Sequence, residues 1–212
     1  ISRALYQRKG EKVDPSLVLP IDSAARGMYI IAQTVLKSGD EALVFDPVDY
    51  LFKQSVLSAG ATPVLFPSVM KDGYMDLSKI EEYITPRTKM ICLCNPHNPL
   101  GKLYTREDLE LLLDLADKHD LWIMNDEIWA DIIFPGKTFH SIVTVGENRN
   151  QRVLSVMGFS KSFGLAGLRA GAIYCHDKDI FDKLVEKSDV MTTAGGITSL
   201  SQIAGMACLN KC

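Results

Sequence analysis

Apolar residues along this chain follow two rhythms. Short continuous runs recur as SLVLPI, EALVF, TPVLF, KMICLC, LWIMN, RVLSVM and AGAIYC. Each has the length of a strand, and several lack the polar–apolar alternation that one wet face imposes. They read as strands of a sheet covered on both faces. Between them the period lengthens. In AARGMYIIAQTVLKSGD, Met28, Ile31, Ala32 and Val35 fall on one helical face, and Gly39 is placed to close the helix. In TREDLELLLDLADKHD the apolar face is Leu109, Leu112, Leu113 and Ala116, with Thr105 as N-cap and Asp108 as an imperfect capping-box partner. Strands alternating with helices predict an α/β fold around a mostly parallel sheet. There is no internal repeat, low-complexity stretch or clear linker.

Open α/β sheets bind ligands outside the carboxyl ends of their strands. The unusual polar residues of this sequence fall at those ends. SLVLPI leads into Asp22 and Ser23, KMICLC into Asn95-Pro-His-Asn98-Pro, LWIMN into Asp126, and RVLSVM into Ser160-Lys161. Four strand ends thus deliver polar chemistry to one predicted rim.

Composition narrows the function without choosing it. With 212 residues, 47% of them hydrophobic and 23% charged, the chain can bury a sizeable core. A net charge of −3 with scattered Lys and Arg gives no nucleic-acid footprint. No apolar run reaches bilayer length and no secretory signal is evident, so a cytoplasmic location is the default expectation and no membrane partner is expected. The five cysteines, Cys92, Cys94, Cys175, Cys208 and Cys212, show no metal-ligand spacing, and no metal is expected. Cys92 and Cys94 share one strand face as core filler, and reduced thiols are expected.

The stretch MGFSKSFGLAGLRAG places Lys161 between two serines, with Arg169 eight residues on. A lysine amine is a nucleophile only when partly uncharged, a state that burial or a neighbouring cation favours. Its use would be a Schiff base with a carbonyl compound. The cofactor that pairs such a lysine with an acid at a pyridinium nitrogen is pyridoxal 5′-phosphate (PLP), and Asp126, behind the apolar LWIM, suits that acid. Arg169 offers a planar fork for phosphate, and the helix beginning near Ser23 offers unpaired N–H groups to the same phosphate.

Three segments in order, NPHNPLGK, NDEIWADI and SKSFGLAGLRAG, resemble the class I/II aminotransferase family of fold-type I PLP enzymes, from about Val13 to the end of the chain. The resemblance implies a three-layer α/β/α sandwich with a seven-stranded sheet. Residues 1–212 would be the PLP-binding large domain, a fragment without the N-terminal arm and C-terminal small domain. It implies that Lys161 forms the aldimine and shuttles a proton between the substrate Cα and the cofactor C4′, so that an amino group passes between an amino acid and a 2-oxo acid. Asp126 would pair with the pyridine nitrogen and Asn98 with the ring hydroxyl. Ser160 and Arg169, with the backbone amides of Ala24 and Ala25, would hold the phosphate. A homodimer with sites at the subunit interface is also implied.

Four positions depart from the family pattern. Asp49 replaces an aromatic residue that stacks on the cofactor, and Tyr50 beside it would point the other way in an extended segment. Trp129 stands for a tyrosine, Arg26 for a small or acidic residue, and Gly158 for a phosphate-binding serine. Two alternatives stay open. NPHNPLGK and DEIWADI also resemble the cystathionine β-lyase-like branch, a carbon–sulfur lyase, and the departures fit a non-catalytic descendant of the fold. Glu127 reads as structural, and His97 as a loop histidine with local hydrogen bonds.

Overall fold

The computed structural model describes residues 1–71, 73–192 and 195–211, and Cys212 lies outside them. The chain opens with α1 (Ser2–Lys9), β1 (Val18–Ile21), α2 (Ala24–Val35), β2 (Glu41–Asp46), α3 (Tyr50–Ser58) and β3 (Thr62–Pro67). A two-residue hairpin, β4 (Met70–Lys71) and β5 (Tyr74–Met75), precedes β6 (Thr88–Cys94), α4 (Arg106–His119) and β7 (Trp122–Asp126). Then come α5 (Ile142–Val145), β8 (Val153–Gly158), β9 (Gly171–Tyr174), α6 (Lys178–Ser188) and α7 (Ser199–Lys211).

The seven apolar runs form one seven-stranded sheet in the order β1-β9-β8-β7-β6-β2-β3. The β3, β2, β6, β7 and β8 neighbours pair in parallel, and β9 runs antiparallel to both β8 and β1. The α/β fold with a mostly parallel sheet is therefore as the sequence predicts, arranged in three layers. Alternate residues of each strand enter opposite cores. Ala42, Val44, Met90, Cys92, Cys94, Met124 and Leu154 face one side with Met28 and Ile31 of α2, Phe52 of α3 and Leu184 of α6. Leu43, Phe45, Ile91, Leu93, Ile123 and Val153 face the other with Leu109, Leu112 and Leu113 of α4 and Ile142 of α5. Removing any of these fully buried leucines, as in Leu112→Ala, costs about 2–5 kcal/mol in comparable cores.

Local chemistry fixes the helix ends. Thr105 Oγ1 accepts the Asp108 N–H at 3.1 Å, and Asp108 Oδ2 accepts the Thr105 N–H at 2.9 Å, so the capping box is complete. Asp reaches as Glu does because the first turn curls back far enough. Gly39 does not cap α2: the helix stops at Val35 with Leu36 extended, and Gly39 (φ 91°) shapes the turn that follows. In that turn Asp40 Oδ2 accepts the Lys37 N–H at 3.0 Å. The segment after β2 is not extended either. Asp49 caps α3, and Tyr50 starts it with 71% of its surface exposed.

Candidate active site

Because β1, β6, β7 and β8 all run the same way, their carboxyl ends share one rim. Register makes this concrete: Cys94 pairs with Asp126, Asp126 with Val156, Gly158 with Gly171, and Gly171 with Ile21. At the β1 end, Ser23 caps α2 by accepting the Arg26 N–H at 3.1 Å, and its carbonyl accepts the Gly27 N–H. The amides of Ala24 and Ala25 are left as the open donors of that helix start. Two glycines let the strands approach it. A Cβ at Gly171 would stand 2.9 Å from Ala24 N and from Ser23 C, and one at Gly158 would stand 3.4 Å from Ala24 Cβ and 3.0 Å from Ile128 Cδ1.

Asp126 ends β7 with only 8% of its surface exposed. Its Oδ1 accepts the Ile128 N–H at 3.0 Å, and Oδ2 makes no hydrogen bond among the described residues. Burial pushes its carboxyl up to about 6; the Ile128 bond pulls it down, the Asp49 charge raises it, and Lys161 and Lys9 pull it down again. The Lys161 charge thus acts on this buried acid from the turn just past β8. The Lys161 side chain is exposed: it sits beyond the end of β8, where water reaches it. Its Nζ lies 4.8 Å from the centre of the Trp129 ring, a cation–π contact.

Asn98, on the loop after β6, joins this group. Its Nδ2 donates to Asp49 Oδ2 at 3.0 Å, and the Asp49 N–H donates to the Asn98 carbonyl at 3.0 Å. A cavity of about 880 Å³ adjoins Asn98 and Trp129, with Tyr74, Lys102, Phe134 and His140 also on its wall. Ser160 and Arg169 lie on the rim segment joining β8 to β9. The structure gives neither side chain a hydrogen bond or ion pair among the described residues, and Arg169 takes the left-handed conformation at φ 48°. Asn98, Asp126, Lys161 and the start of α2 are therefore gathered, while Ser160 and Arg169 are near but uncommitted.

Two residues differ from, or add to, the sequence reading. His97 makes no local ring hydrogen bond among the described residues. It is buried edge-on against Phe45 and beside Tyr104, and burial lowers its pKa to about 4, so it stays neutral. Its neighbour in space, not its loop position, decides this. Asp49, read as a lost stacking ring, instead brings a carboxylate into the site. The one sequence signal for that placement was an aspartate directly before a helix, where N-caps stand. Glu127 turns away from the rim. Lys9 bridges it at 2.9 Å to Glu11 at 2.6 Å, and the Ile142 N–H reaches Glu127 Oε1 at 3.0 Å.

The geometry can do three things together. A buried, under-neutralised carboxylate suits a cationic ring nitrogen, an amide donor suits a ring oxygen, and open helix-start amides suit a phosphate. The model of "Aminotransferase class I and II" matches residues 3–211.

The chain belongs to the class I and II aminotransferase family.

Within that family it is 28% identical over 195 residues to a probable aspartate/prephenate aminotransferase of Thermus aquaticus, covering 92% of this chain and 50% of that protein. It is 31% identical over 211 residues to a bifunctional aspartate aminotransferase and glutamate/aspartate-prephenate aminotransferase of Petunia hybrida, covering 99% of this chain and 43% of the relative. A single mutant of Thermus thermophilus aspartate aminotransferase superposes with a TM-score of 0.88 at 27% identity, covering 99% of this chain and 53% of that one. Cystalysin from Treponema denticola, whose crystal structure contains PLP, has a TM-score of 0.92 at 23% identity, covering 100% of this chain and 54% of that one. At that identity cystalysin speaks for the shared fold alone. The chain spans about half the length of the curated relatives it matches.

Proposed function

We propose that the protein is a PLP-dependent aminotransferase and that this chain is its cofactor-holding large domain. The observation that carries the reading is the gathering at one rim of the buried Asp126 carboxyl at the end of β7, the Lys161 segment just past the end of β8, the Asn98 amide and the open start of α2. The group fits the residues present. Asp126 is under-neutralised where it lies, and a protonated ring nitrogen is the countercharge it lacks. Bound PLP supplies an aldehyde and an electron-withdrawing pyridinium ring that stabilises a substrate carbanion.

The chain's own residues would then divide the work. Asp126 would keep the ring nitrogen protonated, and Asn98 would donate to the ring oxygen. The Ala24 and Ala25 amides, with Ser160 and Arg169, would take the phosphate through a helix start and a cationic fork. Lys161, exposed at the rim, would remove the proton at the substrate Cα and deliver it to the cofactor carbon C4′, two bonds away. The cavity beside Asn98 and Trp129 gives a substrate side chain room. Two copies would assemble with their sites at the shared interface, as the resemblance implies.

The test uses the full-length protein with PLP, a panel of amino acids and a 2-oxo acid acceptor. Amino transfer that requires the oxo acid and vanishes in Lys161→Ala is expected. Release of pyruvate, ammonia and a thiol from cystathionine without any acceptor would instead assign a carbon–sulfur lyase. Binding of PLP with neither reaction would assign a non-catalytic descendant of the fold.

A further inference from the structure

Asp49 uses both of its oxygens, and only one use is explained by the fold. Oδ1 accepts the Leu51 N–H at 3.0 Å, which caps α3 and accounts for an aspartate at this position. A serine would do the same. Oδ2 is surplus to the cap, and it meets Asn98 Nδ2 at 3.0 Å. The two loops are joined a second time by the Asp49 N–H and the Asn98 carbonyl. The loop after β2 therefore clamps the loop after β6 at backbone and side chain together.

The direction of the side-chain bond matters. An amide can present either its oxygen or its NH₂ to a neighbour, and the two poses differ by a half-turn. A carboxylate has no hydrogen to give, so Asn98 faces Asp49 with its NH₂ group. One N–H is spent on Asp49 and the second stays available. A ring oxygen of the cofactor is an acceptor in its ionised form, so the flipped amide would set oxygen against oxygen. We propose that Asp49 is a positioning residue, whose carboxylate holds the Asn98 amide in the orientation that can donate to the ring oxygen of PLP. This rests on the PLP reading above. It also gives a chemical role to the residue that replaces the expected aromatic cover. The same carboxylate lies near enough to Asp126 for its charge to act there.

The test is a double-mutant cycle on PLP affinity, measured by absorbance and fluorescence titration of the full-length protein. Asp49→Ser keeps the α3 cap but cannot reach Asn98, and it is expected to weaken PLP binding about tenfold, the size of one charge-assisted hydrogen bond. Asp49→Asn keeps an accepting oxygen and should recover affinity to within about threefold of the parent. In an Asn98→Ala background, Asp49→Ser should change affinity by less than about twofold, because nothing remains to be oriented. If the serine variant fails to fold by thermal unfolding, Asp49→Thr, also a capping residue, takes its place in the cycle. An equal loss in both backgrounds, or no loss in either, overturns the inference alone. A parent protein that takes up no PLP overturns the functional reading and the inference with it.

Discussion

A carboxyl group stripped of water resists ionising until a positive charge joins it, and Asp126 is in that condition. Burial raises it from its ordinary value of 3.8 to about 6, with the Asp49 charge adding to the rise and Lys161 and Lys9 opposing it. Between those two values the folded protein holds a proton that the unfolded chain has released. Stability therefore falls as pH rises through this window, by an amount on the order of 3 kcal/mol relative to a neutral residue in the same place. Denaturant unfolding of the cofactor-free protein from pH 4 to 7 should show the parent losing stability against Asp126→Asn across that range. Parallel profiles would contradict the burial account. Asp126, Asn98 and Lys161 were legible in the sequence because each stands just past an apolar run, where a strand ends at the rim. The roles of Asp49 and His97 were not. Each is set by a neighbour distant in sequence, Asn98 for the first and Phe45 for the second.

At the scale of elements, the seven sheet strands were legible because a strand buried on both faces leaves an unbroken apolar run. The β4–β5 hairpin was not: two residues per strand carry no period to read. The start of α3 was missed because Asp49-Tyr50 resembles a strand continuation until the cap is seen. The position of α2 depends on a contact that no periodicity reveals. At Gly171 an added Cβ would lie 2.7 Å from the Met157 carbonyl oxygen as well as 2.9 Å from Ala24 N. Both are backbone atoms and cannot rotate aside. Gly171→Ala should therefore push β9 away from β8 or from the start of α2, with a loss of about 1–3 kcal/mol. The expected outcome by thermal unfolding is a lower midpoint accompanied by weaker PLP binding, since the Ala24 and Ala25 amides move with the helix. Unchanged stability and affinity would show that the close approach does not set the helix position.

For the whole molecule, the sheet's role is to bring distant stretches of chain to one edge. A second cluster does structural work away from that edge. Lys9 of α1 meets Glu11, Glu127 and the Tyr174 hydroxyl, at 2.6, 2.9 and 3.0 Å, and ties the first helix to β9 and the end of β7. Burial acts to lower the Lys9 pKa, but Glu127, Tyr174 and Glu11 outweigh it and hold the amine charged. None of this was legible from the sequence, because Glu127 and Tyr174 lie more than a hundred residues from Lys9 and Glu11 and only the fold brings them together. The strand ends of the rim, by contrast, were legible: β1, β6, β7 and β8 run the same way, so the polar residues that follow them come out on one edge of the sheet, whereas Asp49 enters from the loop after β2. In the proposed function Lys161 and Asp126 serve one phosphorylated pyridine ring. The most direct check is borohydride reduction of the full-length protein incubated with PLP, followed by mass mapping of the labelled peptide. A phosphopyridoxyl group on Lys161, absent in Lys161→Ala and diminished in Asp126→Asn, is the expected result; label on another lysine, or none, would contradict it.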